Sequence, residues 1–179
     1  MLTVERIREL FASLDQELAR RGARGELYLA ARRNKDRAVM CLVYHARPAT
    51  KDIDALLVPA AELRSAAQAV AQKEGLPDDW LNDAVKGYFS ENGQFEVFED
   101  LGHLRVYVPH PEYLFAMKCL ALRLGEEFQD LADVKVLIRA LGLQTVADAE
   151  AILGRYYSLE RYPVRTRYIL EELIAGPLN

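Results

Sequence analysis

Residues 47–58 read RPATKDIDALLV, and the arrangement of the rest of the chain follows from how that stretch is read. Ile53, Ala55, Leu56, Leu57 and Val58 make an apolar run with the length and composition of a buried strand, and Asp52 and Asp54 stand at its start. Side chains two apart on a strand project to the same side, so both carboxylates face one point while the apolar residues build the strand. That arrangement suits a hard divalent cation. Mg2+ is held through one or two protein carboxylates together with substrate phosphates, and two-metal phosphoryl sites share carboxylates between ions about 3.5–4 Å apart. The same tripeptide also reads as two solvated acids at a strand end.

Upstream, residues 38–45 (AVMCLVYH) are too apolar to lie exposed, and Pro48 biases Arg47 away from helix, so this segment reads as a buried helix ending near Ala46. The polar run RRNKDR at 32–37 has no periodicity and reads as a loop. Residues 26–31 (ELYLAA) read as a short strand. At the N-terminus, Val4, Ile7, Leu10, Phe11, Leu14 and Leu18 recur at helical spacing, with Thr3 as cap, Arg20 and Arg21 in the last turn and Gly22 as stop. Strand, loop, helix and strand thus occupy about 30 residues, the size of a compact unit in which two strands share a sheet under a helix.

Downstream, the Ala-rich stretch from Pro59 to Glu74 is helical, ended by Gly75 and Pro77, and Trp80 is expected to open a second short helix. Residues 95–99 and 104–108 alternate as strands around Asp100-Leu101-Gly102, which predicts a β-hairpin. From Pro109 the pattern turns helical, over 112–124, 128–141, 147–157 and 165–175. The expected fold is α+β: a small mixed sheet flanked by helices, followed by a C-terminal helical bundle, with a division into 1–109 and 110–179.

At 179 residues, 51% hydrophobic and 28% charged, the chain has the size and composition of a soluble globular protein. A net charge of −4 argues against general electrostatic adhesion to nucleic acid. The N-terminal segment reads as an amphipathic helix rather than a signal peptide, and no run approaches the roughly 20 apolar residues of a membrane span. A cytoplasmic protein with no membrane partner is expected. Cys41 and Cys119 lack His or Cys neighbours at zinc-ligand spacing and read as reduced core thiols.

With strand, loop, helix and Asp-x-Asp strand in order ahead of a helical half, the chain resembles the minimal nucleotidyltransferase superfamily, in its branch near the AbiEii and MenT toxins. The resemblance rests on RPATKDID at 47–54, PDDWLND at 77–83, LRVYVPHPEYLFAMK at 104–118, and Asp130 and Asp133 beyond it. It implies a Mg2+-dependent enzyme that moves a nucleoside monophosphate from a nucleoside triphosphate to an RNA (tRNA) or protein acceptor, as in a toxin–antitoxin system. It further implies that Asp52 and Asp54 hold the metal, that Arg47, Thr50, Lys51 and Lys118 contact substrate, and that Asp130 and Asp133 orient Lys118 or an acceptor. Two features depart from the family pattern. The glycine pair that opens the first helix and approaches phosphate is replaced by RRNKDR, and no acid lies in 104–108 to act as third carboxylate. Glu96 and Glu99 are the nearest substitutes. They sit three apart, which on a regular strand puts them on opposite sides, and Glu96 is preferred because Phe95 and Val97 flank it regularly. The alternative reading is a catalytically degenerate nucleotidyltransferase-fold module that binds nucleotide or regulates.

Other residues carry less. His45, His103 and His110 have no spacing suggestive of a metal site. For Asp130 and Asp133 the competing reading is a surface ion pair with Lys135 or Arg123. The segment with Arg155, Tyr156, Tyr157, Arg161, Tyr162, Arg165, Arg167 and Tyr168 reads either as a stacking surface for a tRNA end or as helices with tyrosine inside and arginine outside.

Overall fold

A computed structural model describes residues 1–30, 38–46, 48–83, 85–122 and 128–176, with side chains left undescribed at Lys86 and 128–130. The fold is α+β, as expected, with seven α-helices and a five-stranded mixed sheet among the described residues. Two compact units divide the chain. Among the described residues, the first takes those up to Gly87 together with Phe95–Pro109, and the second takes Tyr88–Gln94 with those from His110 onward.

In the first unit, α1 (Val4–Arg20) begins at Thr3, whose Oγ1 accepts from Arg6 N at 3.3 Å, and buries Ile7, Leu10, Phe11, Leu14 and Leu18 on one face. It is followed by β1 (Gly25–Leu29), the short α2 (Ala38–Leu42), β2 (Ile53–Val58) and α3 (Ala60–Glu74). Next come β3 (Leu81–Asn82) and a hairpin of β4 (Phe95–Asp100) and β5 (Leu104–Pro109). The sheet order is β3-β2-β1-β5-β4. β1 runs antiparallel to β2 and parallel to β5, β3 is parallel to β2, and β4 and β5 pair antiparallel as the hairpin pattern predicts.

Register sorts the strand residues onto two faces, because residues directly opposite one another share a side. Leu27 lies opposite Leu57 and Val106, and Leu29 opposite Ala55; all are buried. α1 and α3 cover this face. A Cβ on Gly25 would stand 2.7 Å from Leu63 of α3, so the first residue of β1 lies close beneath that helix. Asp15 of α1 accepts from the backbone N–H groups of His103 and Leu104, both at 2.8 Å, and ties the helix to the start of β5. The second face carries Tyr28, opposite Leu56 and Tyr107, and Glu26, opposite Val58 and Arg105.

Trp80 does not open a helix. Its ring is buried, its indole N–H donates to Ala67 O at 3.0 Å, and its carbonyl accepts from Ile53 N at 2.8 Å, so it leads into β3 at the sheet edge. Trp80 and Leu81 are both buried, held by α3 and the sheet rather than by a helix of their own.

The second unit contains α4 (Pro111–Ala121), α5 (Phe128–Ala140), α6 (Val146–Tyr156) and α7 (Thr166–Ala175). α4 is buried from Tyr113 through Cys119 and is packed by α5 and α6. α6 starts in a capping box: Thr145 Oγ1 accepts from Asp148 N at 3.1 Å, and the Asp148 carboxylate accepts from Thr145 N at 3.1 Å. Tyr113, Tyr156, Tyr157 and Tyr162 pack ring against ring, with centroids 5.0–6.3 Å apart. The hydroxyls of Tyr157 and Tyr162 donate to Tyr88 O at 2.7 Å and Leu153 O at 3.0 Å. Both cysteines are free and buried, as expected, and burial pushes the Cys119 thiol well above its ordinary pKa. Among the described residues no helix is long and apolar enough to cross a membrane.

Candidate functional site

β2 is an interior strand, and its first hydrogen bonds fix the approach to it. Ile53 N donates to Trp80 O on one side, and Ala30 N donates to Asp54 O at 2.9 Å on the other. Asp54 therefore lies inside the strand, 8% exposed, with Asn82 opposite it on β3. Asp52 comes one residue before the strand begins; it is half-buried, and its Oδ1 is out of contact with solvent. Thr50 sets the turn into it. That residue is 1% exposed, its hydroxyl donates to Asp52 O at 3.0 Å, and its backbone bridges to Leu2. Thr50 thus braces the approach to the acids from the interior rather than offering a hydroxyl to solvent. Lys51 is exposed beside it, and Arg47 lies outside the described residues.

The sheet faces decide the question of a third acid. Asp54 shares the side of Leu56, hence of Tyr28 and Tyr107 across β1 and β5, since side chains two apart lie together. Glu96 lies opposite Val108, on the other side, the one covered by α1 and α3. The expected partnership of Glu96 with Asp52 and Asp54 is therefore not formed across the sheet. Glu99 fares no better. The register shifts between Val97 and Glu99, so a bulge at Phe98 brings Glu99 opposite Val106, on the same side as Glu96. The rule that an offset of three reverses the side holds for a regular strand, and the extra residue cancels it here. Phe98 is held under the Arg8 guanidinium of α1, 5.4 Å from the ring centroid. Asp100 does share the side of Asp54, but at the far end of the hairpin, where it is paired with Arg105 at 2.7 Å.

The sequence reading did not single out Glu26, Tyr28 and Tyr107, which the sheet brings together on the face of Asp54. The two tyrosine rings stack with centroids 4.5 Å apart, and Tyr28 OH donates to Glu26 at 2.8 Å and Tyr107 OH at 3.3 Å. Burial, and then the Glu26 carboxylate, push the Tyr28 phenol up to about 12. The signal was present in the alternation of ELYL and LRVYV, which places Glu26 with Tyr28, and Arg105 with Tyr107, at strand period two. A cleft of about 300 Å³ opens at the Glu26 end of this face, lined by Arg24, Glu26, Val58, Asp100, His103 and Arg105.

In the second unit, Lys118 and Asp133 form a buried ion pair, Nζ to Oδ2 2.9 Å, with side chains 1% and 2% exposed. Asp133 is thus paired in the interior with Lys118, while Arg123 lies outside the described residues. Asp130 lies on α5 with its side chain outside the description, as do residues 32–37, where the glycine pair would stand.

Among the described residues no group of three or more His, Cys, Asp or Glu side chains gathers to hold a metal ion. Two carboxylates two residues apart at the head of β2 nonetheless suit Mg2+ as a donor set, because that ion takes one or two protein carboxylates and completes its shell with water and phosphate. Comparison of the chain with family models, curated proteins and solved structures finds no match.

Proposed function

We propose that the chain binds a nucleoside triphosphate with Mg2+ at Asp52 and Asp54 and transfers the nucleotidyl group to a hydroxyl of an RNA, such as a tRNA end, or of a protein. The observation that carries this reading is the position of the pair: Asp54 is fixed within an interior strand and nine-tenths buried, and Asp52 is held immediately ahead of it by the Thr50 hydroxyl. Acids so placed are costly to keep in a fold unless they serve a cation or hydrogen-bonding partner. Bound Mg2+ supplies positive charge that stabilises the attacking and leaving oxygens of an in-line displacement at phosphorus. In that displacement the acceptor hydroxyl gives up its proton to water, a bond forms from its oxygen to the α-phosphorus, the bond from that phosphorus to the bridging oxygen breaks, and pyrophosphate leaves. Among the described residues, exposed Lys51 is a neighbouring cation available to phosphate. Lys118 already has Asp133 at 2.9 Å and would have to be released before meeting one.

A second reading, in which the same pair binds nucleotide without transferring it, is favoured by one observation. Glu96 and Glu99 both lie on the face opposite Asp54, so the β4–β5 hairpin adds no third carboxylate beside the pair. Incubation of the purified protein with labelled nucleoside triphosphates, Mg2+ and total RNA or protein separates the two. Label transfer that is lost in Asp52→Asn supports the enzyme. Mg2+-dependent nucleotide binding by calorimetry without transfer supports the module, and neither binding nor transfer rejects both.

A further inference from the structure

The stretch 158–168, SLERYPVRTRY, divides between the interior and the surface. Tyr162 within it and Tyr156 and Tyr157 just ahead of it are buried, so these rings are withdrawn from any role in stacking on a nucleic acid. What remains outside is aliphatic, aromatic and charged, with Glu160 exposed beside the basic residues. Leu159 is 51%, Val164 86% and Tyr168 66% exposed, and among the described residues these are the large apolar side chains that the second unit leaves in solvent. Arg155 is answered by Glu112 at 2.9 Å, and Arg167 by Glu171 at 3.3 Å and Glu150 at 3.7 Å. Arg161, over the Tyr157 ring at 5.2 Å, and Arg165, ahead of α7, have no carboxylate at ion-pair distance among the described residues.

We infer that this surface docks a protein segment that presents carboxylates beside apolar side chains. Complementarity of charge and of apolar surface selects that partner, independently of any role of Asp52 and Asp54. In a chain of net charge −4, the stretch 158–168 carries three arginines against the single acid Glu160, and Arg161 and Arg165 have no ion-pair partner among the described residues, which makes a local reversal of sign. A guanidinium fork matches a carboxylate with two parallel hydrogen bonds. Leu159 and Val164 have no π-face on which a base could stack; they gain by leaving water against other apolar groups. Arginine and tyrosine are residue types enriched in protein interfaces and their energetic hot spots.

The test is fluorescence anisotropy with three labelled probes: a synthetic helical peptide of Leu and Glu with the leucines on one face, the same peptide with Gln for Glu, and a uridine oligonucleotide. The Leu–Glu peptide binds, its affinity falls with added salt, and the Gln peptide binds more weakly. Arg161→Ser with Arg165→Ser lowers the affinity about tenfold, as two lost partly exposed ion pairs imply, and Val164→Ser with Tyr168→Ser lowers it as well. Lys73→Ser, on α3 of the other unit, leaves it unchanged. Melting curves equal to wild type confirm that the variants report on the surface. No binding of the Leu–Glu peptide, equal binding of the Gln peptide, indifference to the four substitutions, or preference for the oligonucleotide through Arg161 and Arg165 would each overturn the inference.

Discussion

Lys118 Nζ lies 2.9 Å from Asp133 Oδ2 inside the helical unit, where the pair joins α4 to α5 and both side chains are almost wholly withdrawn from water. Each charge alone would be costly there, and each is tolerated because of the other. Removing one partner, as in Asp133→Asn or Lys118→Met, is expected to lower the unfolding free energy by about 3–5 kcal/mol, and replacing both, as in Lys118→Met with Asp133→Leu, to recover most of the loss. Urea denaturation of the three variants measures this. A double variant as unstable as the sum of the singles would show that the two charges do not depend on one another.

On α1, Glu17 receives hydrogen bonds from Arg20 at 2.7 and 2.9 Å and from Arg21 at 2.6 Å. The Arg20 hydrogen bond first, then Arg21, holds its carboxyl at about 2 against an ordinary 4.5. A depressed carboxyl stabilises the fold above its unfolded value, and the contribution is lost as pH falls through the folded value. The stability gap between wild type and Glu17→Gln should therefore narrow as pH falls from 4.5 to about 2. Thermal melts across that range are the check, and a gap that does not change with pH would contradict the assignment.

Gly93 faces the buried ring of Tyr113: a Cβ there would stand 2.7 Å from the ring and 2.9 Å from its hydroxyl, which accepts from Ser90 N at 2.8 Å. The ring is packed against Tyr156 and cannot retreat freely. Gly93→Ala is expected to cost about 1–3 kcal/mol by overpacking. Gly87→Ala, where a Cβ meets nothing within 4 Å, serves as the control and should be near neutral. Equal denaturation midpoints for the two variants would show that Tyr113 moves aside.

The sequence made local features legible where one element decided them. The α1 face, the hairpin turn at Gly102 and the apolar body of β2 follow from periodicity and turn chemistry within a few residues. What escaped was set by neighbours far along the chain. Trp80 enters a strand because Ile53 and Ala67 take its polar groups. The bulge at Phe98, with Arg8 over the ring, is invisible in the regular alternation of FEVF and changes which face Glu99 joins. The position of Asp52 and Asp54 at the head of β2 was readable from spacing. The side on which Glu96 falls was not, since it depends on how β4 registers with β5. In the C-terminal segment tyrosine spacing is shared by a core and a stacking surface, and burial of Tyr156, Tyr157 and Tyr162 decides for the core.

Glu96 supplies an internal control for the proposed nucleotide site, because it lies on the sheet face away from Asp54. Glu96→Gln is expected to leave Mg2+–nucleotide binding intact by calorimetry. Loss of binding in that variant would mean that the hairpin acid acts at the site despite its register.

The most direct measurement is the melting temperature of wild type, Asp52→Asn and Asp54→Asn, each alone and with Mg2+ and each of ATP, GTP, CTP and UTP. A ligand that binds the folded state raises stability by mass action, about 2.7 kcal/mol at one hundred times its dissociation constant. Two acids gathered for a cation and not for the fold repel one another in its absence, so the ligand-free Asn variants should melt at or above the wild-type temperature. The account predicts a rise in wild type with Mg2+ and at least one nucleotide that is absent in both variants. A wild type that gains nothing, or ligand-free variants that are both destabilised by about 1–3 kcal/mol as lost structural hydrogen bonds would require, would contradict it.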